Sequence, residues 1–140
     1  MGLDCSHDTF HGAYSAFNRF RQAVCYVIGG SYPPHDKHNY LLWSDEKQPD
    51  ENTWYWGHGY SHDTHPGLAI FLSHSDCDGE ISPEDCIKVA SDLQPLIPRL
   101  AELGGDYGHI AREGGFAEVC QKFVTGCRKA AELGEPLTFE

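Results

Sequence analysis

Basic residues are scarce in this chain. Ten Lys and Arg stand against 21 Asp and Glu, a formal charge of −11 over 140 residues. That field repels nucleic-acid backbones and anionic membranes, which excludes a long nucleic acid as partner. A small phosphorylated ligand is less firmly excluded, because a few local arginines can overcome the global field. No apolar run is long enough to span a bilayer, so no membrane partner is expected. No C-x-x-C pair occurs among Cys5, Cys25, Cys77, Cys86, Cys120 and Cys127, which argues against a structural zinc knuckle. There is no Gly-Lys-Ser/Thr phosphate loop, no repeat, no low-complexity segment, and no Ser-His-Asp or Cys-His nucleophile set announced by spacing. Met1-Gly2-Leu3-Asp4 opens into polar residues rather than an apolar signal segment, which predicts a cytoplasmic setting with reduced thiols. Hydrophobic residues, at 40%, suffice for one core, and the length fits a single domain over 1–140.

Apolar residues at helical spacing from Phe10 to Val27 predict a long first helix over Ser6 to Ile28, ended by Gly29-Gly30. Residues 31–66 hold four prolines, three tryptophans and five histidines, with no clean period. They are expected to be an irregular Trp/His-rich insertion, with short strands around Tyr40–Trp43 and Thr53–Trp56. Leu68–Leu72 is expected to be a short buried strand. Ser82-Pro83-Glu84-Asp85 is a helix start, with Ser82 as N-cap and Pro83 at the first helical position. Pro95 and Pro98 imply a break and a second short helix ending at Gly104-Gly105. A last helix is expected from Phe116 to Leu133, stopped by Gly134, and Leu137–Phe139 as a closing strand beside Leu68–Leu72. The fold class is α+β: three to four helices packed on a small antiparallel β-sheet.

The densest chemistry lies in His74-Ser75-Asp76-Cys77-Asp78-Gly79-Glu80. Three acids within five residues repel one another unless water, a cation or a donor-rich ligand sits opposite. Aligned on Gly79 as the sixth position, the segment is a partial EF-hand-like loop, with Asp76 and Asp78 at positions three and five. It departs from that pattern in having His74 at position one and Asp85 at position twelve. On the predicted first helix His7 and His11 fall at i and i+4, with Asp4 and Asp8 near and Asn18 on the same polar edge. Together with His74 and Asp76 they form a set that could take a divalent metal ion. The plainer alternative is that these histidines hydrogen-bond the acidic loop and hold it in place. Gly104–His109 could admit an anion, with Arg112 supplying charge. Trp54 and Trp56 could stack a planar ring or form a small second core, and Arg19 or Arg21 could meet a phosphate. The expected ligand-binding residues are thus Asp4, His7, His11, Asn18, Trp54, Trp56, His74, Asp76, Asp78, Glu80, His109 and Arg112. The first and last helices and the acidic loop are expected to enclose them in one pocket.

Gly2-Leu3-Asp4, His11-Gly12-Ala13-Tyr14-Ser15-Ala16-Phe17 and His74–Glu80 resemble segments shared by a family of short, uncharacterised phage and prophage proteins. The resemblance covers both ends of the chain and the acidic loop, and it transfers no activity. It implies a phage-related setting, in which small proteins often block host defence. The leading expectation is therefore a non-catalytic protein that binds a small polar ligand, sequestering a nucleotide-derived signal. A metal-dependent hydrolase using the same His/Asp cluster is the rival. An acidic protein-binding inhibitor relying on Glu46, Asp50 and Glu51 is a third reading, and a homo-oligomer stays open.

Overall fold

The computed structural model describes residues 2–32, 54–75, 77–103 and 114–140. The expected strand at Tyr40–Trp43, the glycine run at 104–109, and Asp76, His109, Arg112, Glu46, Asp50 and Glu51 lie outside them.

Strand β1 (Gly2–Asp4) and strand β2 (His11–Ala13) form an antiparallel hairpin, with Leu3 opposite Gly12. Between them Ser6–Asp8 makes a single 3-10 turn. Helix α1 (Tyr14–Val27) follows directly. The first helix is therefore shorter than the periodicity predicts, and its supposed first turns are a hairpin. The misreading has a physical cause. Phe10 faces the core from the hairpin, where it meets Phe17 edge-on at 5.1 Å, so the apolar spacing continues across a change of backbone. A Cβ on Gly2 would lie 3.0 Å from the Gly12 carbonyl oxygen, a close approach that suits a hairpin.

Helix α2 (Pro66–Ser73) occupies the segment expected as a strand. Its apolar run is buried on almost every side, so periodicity cannot separate helix from strand. Pro66 stands at the first helical turn, and Asp92 of the next helix accepts a 3.1 Å hydrogen bond from the Leu68 amide. Gly67 lets the two helices touch: a Cβ there would sit 2.1 Å from the Lys88 carbonyl oxygen. At the other end Tyr32 donates to the Leu72 carbonyl at 3.0 Å and Arg21 to the His74 carbonyl, putting positive charge on the negative end of α2.

Strand β3 (Glu80–Ile81) leads into helix α3 (Pro83–Leu93), where Ser82 caps the Asp85 amide as expected. A turn at Gln94–Leu96 and helix α4 (Ile97–Ala101) follow, each with a proline in its first turn. Helix α5 (Phe116–Leu133) has the predicted bounds and ends on Gly134 with φ 67°. Strand β4 (Leu137–Thr138) forms as expected but pairs with β3, not with residues 68–72, which are helical.

The C-terminal segment joins the two ladders. On one side β4 pairs with β3. On the other Phe139 bridges Cys5, and Asp4 and Glu140 exchange two backbone hydrogen bonds of 3.0 Å. The spatial order is β2, β1, C-terminal segment, β3. Helices α2, α3, α4 and α5 pack together above this edge, α3 touching both α2 and α5. The core they share with α1 contains Phe17, Phe20, Phe71 and Phe123, most of them meeting edge to face. The protein is a small α+β single domain.

Candidate functional site

The Ser6–Asp8 turn is where local chemistry departs most from ordinary backbone. His7 (φ 59°) and Asp8 (φ 58°) are consecutive non-glycine residues in the left-handed region. Each such residue costs about 1–2 kcal/mol, so the surroundings must hold the pair in place. They do so from below. The Cys5 amide bonds the Phe10 carbonyl at 2.9 Å, closing the loop. The Thr9 amide and hydroxyl both donate to the Ser6 carbonyl. Thr9 is buried against Gly126 of α5, where a Cβ would lie 2.4 Å from the Thr9 hydroxyl oxygen.

Each histidine of the hairpin is held at both ring nitrogens. Ser6 Oγ lies 2.7 Å from His7 Nδ1, and His7 Nε2 lies 2.9 Å from Glu135 Oε1. Because the carboxylate only accepts, Nε2 donates in the contact with Glu135. Ser6 Oγ also accepts the Thr138 amide at 2.9 Å. The order Ser–His–Glu is that of a hydrolase triad. Here the hydroxyl joins two segments of backbone and lines no described cavity, so it acts as a fastener between the turn and the C-terminal segment. His11 Nδ1 contacts Asp4 Oδ1, and Nε2 is 3.0 Å from Asp8 Oδ1. Lys122 Nζ stands 3.7 Å from the same Asp8 oxygen. These pairs are exposed, so each contributes on the order of 1 kcal/mol or less, but together they fix where the Asp8 carboxylate points.

Beside this turn lies a groove of about 390 Å³, lined by His7 and Asp8 on one side and by Glu118, Gln121, Lys122, Thr125, Gly126 and Lys129 of α5 on the other. A second hollow, of about 590 Å³, lies between the end of α1 and α4, where Arg99 reaches the Val27 carbonyl and the Tyr60 hydroxyl. It gathers none of the expected site residues.

The acidic loop is built differently from a cation site. The His74 ring stacks on Phe139 with centroids 4.1 Å apart. Its nitrogens lie 2.8 Å from the Ser75 carbonyl and 3.1 Å from the Glu80 carbonyl. Glu80 stands at loop position seven, whose backbone carbonyl would be a calcium ligand in an EF-hand. The imidazole at position one thus bonds the oxygen that a cation would need. Gly79 is required on two counts: its φ is 95°, and a Cβ would lie 3.3 Å from the His74 ring. The Ser75 hydroxyl, not an acid, accepts the amides of Cys77 and Asp78 at 3.2 and 3.3 Å. Asp78 and Glu80 face solvent.

The expected residues therefore fall into separate groups. Asp4, His7 and His11 belong to the hairpin, but His7 and His11 do not share a helix face as predicted, because the segment is not helical. His74, Asp78 and Glu80 lie across the C-terminal segment from that hairpin. Of the four expected metal ligands, His7, His11 and His74 are engaged separately. Among the described residues no three His, Cys, Asp or Glu side chains gather where an ion could sit. Asn18 is half-buried on α1 and lines neither described cavity. Trp54 and Trp56 form no second core but pack, half-buried, against the main one: Trp54 stacks with Tyr32, and Trp56 Nε1 donates to His62 Nδ1 at 3.2 Å. Arg21 is buried across the face of Phe17, 4.5 Å from its centroid, and is committed to the fold rather than to a phosphate. Arg19 is half-buried on α1.

Sequence reasoning passed over Ser6, Glu135 and the whole polar face of α5. The signal for that face is its spacing: Glu118, Gln121, Lys122, Thr125 and Lys129 recur at three and four residues, opposite the apolar stripe.

Five of the six thiols are buried. Burial pushes Cys5, Cys25 and Cys120 up to about 12, while the hydrogen bond with Cys86, and then burial, raises Cys127, so these are core residues rather than nucleophiles. Cys127 lies in hydrogen-bonding contact with Cys86, not with its helix neighbour Cys120.

No family model, curated protein or solved structure matches this chain. Among the described residues no helix is long and apolar enough to cross a membrane.

Proposed function

We propose that this protein binds a small polar ligand in the groove between the Ser6–Asp8 turn and α5. One observation carries the reading: two adjacent non-glycine residues are held in left-handed backbone so that His7 and Asp8 line a polar groove of about 390 Å³. A surface turn with no role would relax, or would place glycine there, because the strain is worth a few kcal/mol. The groove volume is in the range of small-molecule sites. Its walls are also preorganised, since the His7 ring is fixed at both nitrogens and Asp8 is oriented by His11 and Lys122. Preorganised polar groups favour binding because little ordering remains when the ligand arrives. This groove is preferred over the acidic loop, whose described carboxylates face solvent and line no described cavity. On the phage resemblance, the proposed role is to sequester a nucleotide-derived signal used by host defence.

The test uses the untagged chain. It is incubated with a cell lysate, washed and denatured, and the released small molecules are read by mass spectrometry. One compound should be released in near-stoichiometric amount. Thr125→Trp, at an exposed position that should tolerate the ring, should fill the groove and abolish its retention. Retention of nothing, or equal retention by Thr125→Trp, would overturn the proposal.

A further inference from the structure

Charge along α5 suggests what kind of molecule the groove takes. The chain is strongly acidic, yet two of its ten basic side chains line this one site. Lys122 and Lys129 are seven residues apart, roughly 10 Å along the helix and on one face. Lys122 shares its charge with Asp8 at 3.7 Å. Lys129, one further turn on from the exposed Thr125, is itself exposed and pairs with no carboxylate among the described residues. The other end of the stripe carries Glu118, with Gln121 beside it.

The groove is therefore graded, with acceptor carboxylates towards the start of α5 and an ammonium with surplus charge towards its end. The net charge of −11 does not cancel this local pattern, because charges beyond about 8–10 Å are largely screened at physiological salt. A ligand that matches both ends needs a compact anion at the Lys129 end and hydroxyl donors at the Glu118 and Asp8 end. A purely anionic ligand would meet the two carboxylates, and a neutral polyol would leave the Lys129 charge unmatched. Lys is a strong point-charge partner for phosphate, and the Thr125 hydroxyl and Gln121 amide can donate to its oxygens.

We propose that the groove binds a small phosphomonoester that also carries hydroxyls, of the ribose-phosphate type. This rests on the reading of the groove as a ligand site and specifies its ligand class. Phosphate sits at Lys129 and Thr125, and sugar hydroxyls donate to Glu118 and Asp8.

The experiment is a ¹H–¹⁵N titration of the full chain with ribose 5-phosphate, and separately with ribose and with inorganic phosphate. Ribose 5-phosphate should give saturable shifts at the amides of residues 121–129 and of His7 and Asp8, and should bind at least tenfold more tightly than either fragment. Lys129→Gln should weaken it at least fivefold with no change in melting temperature, and Glu118→Gln should weaken ribose but not inorganic phosphate. Absence of saturable shifts at those amides, or affinity within twofold after Lys129→Gln, would overturn the assignment. A lysate compound that lacks phosphate but is lost with Thr125→Trp overturns the ligand class alone. No retained compound together with no ribose 5-phosphate response overturns the groove as a site.

Discussion

Gly126→Ala tests the contact on which the groove depends. Gly126 lies in the middle of α5, an exposed version of which would gain about 1 kcal/mol from alanine by helix propensity. The structure predicts the opposite sign. The added Cβ would stand 2.4 Å from Thr9 Oγ1, 3.0 Å from Thr9 Cβ and 3.1 Å from Thr9 Cα. Turning the Thr9 side chain removes only the first clash, and it breaks the hydroxyl's bond to the Ser6 carbonyl. The contact with Cα remains, so the backbone of the strained turn must move away from α5. Overpacking of this kind costs about 1–3 kcal/mol, so after the propensity gain the variant should be destabilised by roughly 0–2 kcal/mol. The turn should also lose register with the groove. Urea unfolding measures the first effect, and loss of the ligand retained from lysate measures the second. Thr9→Ala in the same chain should recover part of the loss, since it removes the nearest clashing atom. Gly134→Ala is the control: nothing lies within 4 Å of its added Cβ, so its cost comes only from the left-handed φ of 67°. If Gly126→Ala is instead about 1 kcal/mol more stable and still retains ligand, the turn does not rest on α5 as described.

The ends of α3 and α5 were legible because their signals are local. Ser82 and Pro83 begin one, and Gly134 ends the other, whatever the rest of the chain does. The hairpin and α2 were not legible because tertiary contacts decide them. Phe10 lies in phase with a helix that starts only at Tyr14, and residues 68–72 are apolar on every side. Asp92 fixes α2 as a helix from 24 residues away, a partnership no local window contains. The site follows the same rule. The sequence marks His7, His11 and Asp8 as close neighbours, and they are. It gives no sign that Glu135, 128 residues beyond His7, completes the His7 contacts, or that α5 supplies the facing wall. His74 shows the converse: its place in the loop pattern was readable, but its ring turns inward because Phe139 offers a face to stack on.

Two further outcomes follow from the loop and from the buried thiols. Calcium at 1 mM should leave the melting temperature unchanged, because the Glu80 carbonyl is already bonded to the His74 ring. A site with a dissociation constant of about 10 μM would add about 2.7 kcal/mol at that concentration, a rise of several degrees by thermal melting, which would refute the account of the loop. The thiols make stability depend on alkaline pH, with a sign that can be worked out. Cys5, Cys25 and Cys120 are pushed from the usual 9.0 to about 12 in the folded chain by burial. Below pH 9 both states keep these protons, and the preference for the fold is intact. Between pH 9 and 12 the unfolded chain loses them while the folded chain holds them, so stability falls as pH rises. Each thiol contributes about 1.4 kcal/mol per pH unit, or roughly 4 kcal/mol per unit for the three. Over the three units this comes to about 12 kcal/mol, enough to unfold most domains of ordinary stability, about 5–15 kcal/mol, within this window. Cys120→Ala should be less stable at pH 7 through its cavity, yet its stability should fall with pH less steeply, by about 1.4 kcal/mol per pH unit. Urea unfolding at half-unit steps from pH 8 to 11 measures both slopes. Equal slopes for the two chains would mean that Cys120 is not held protonated by the core, whatever the offset between them.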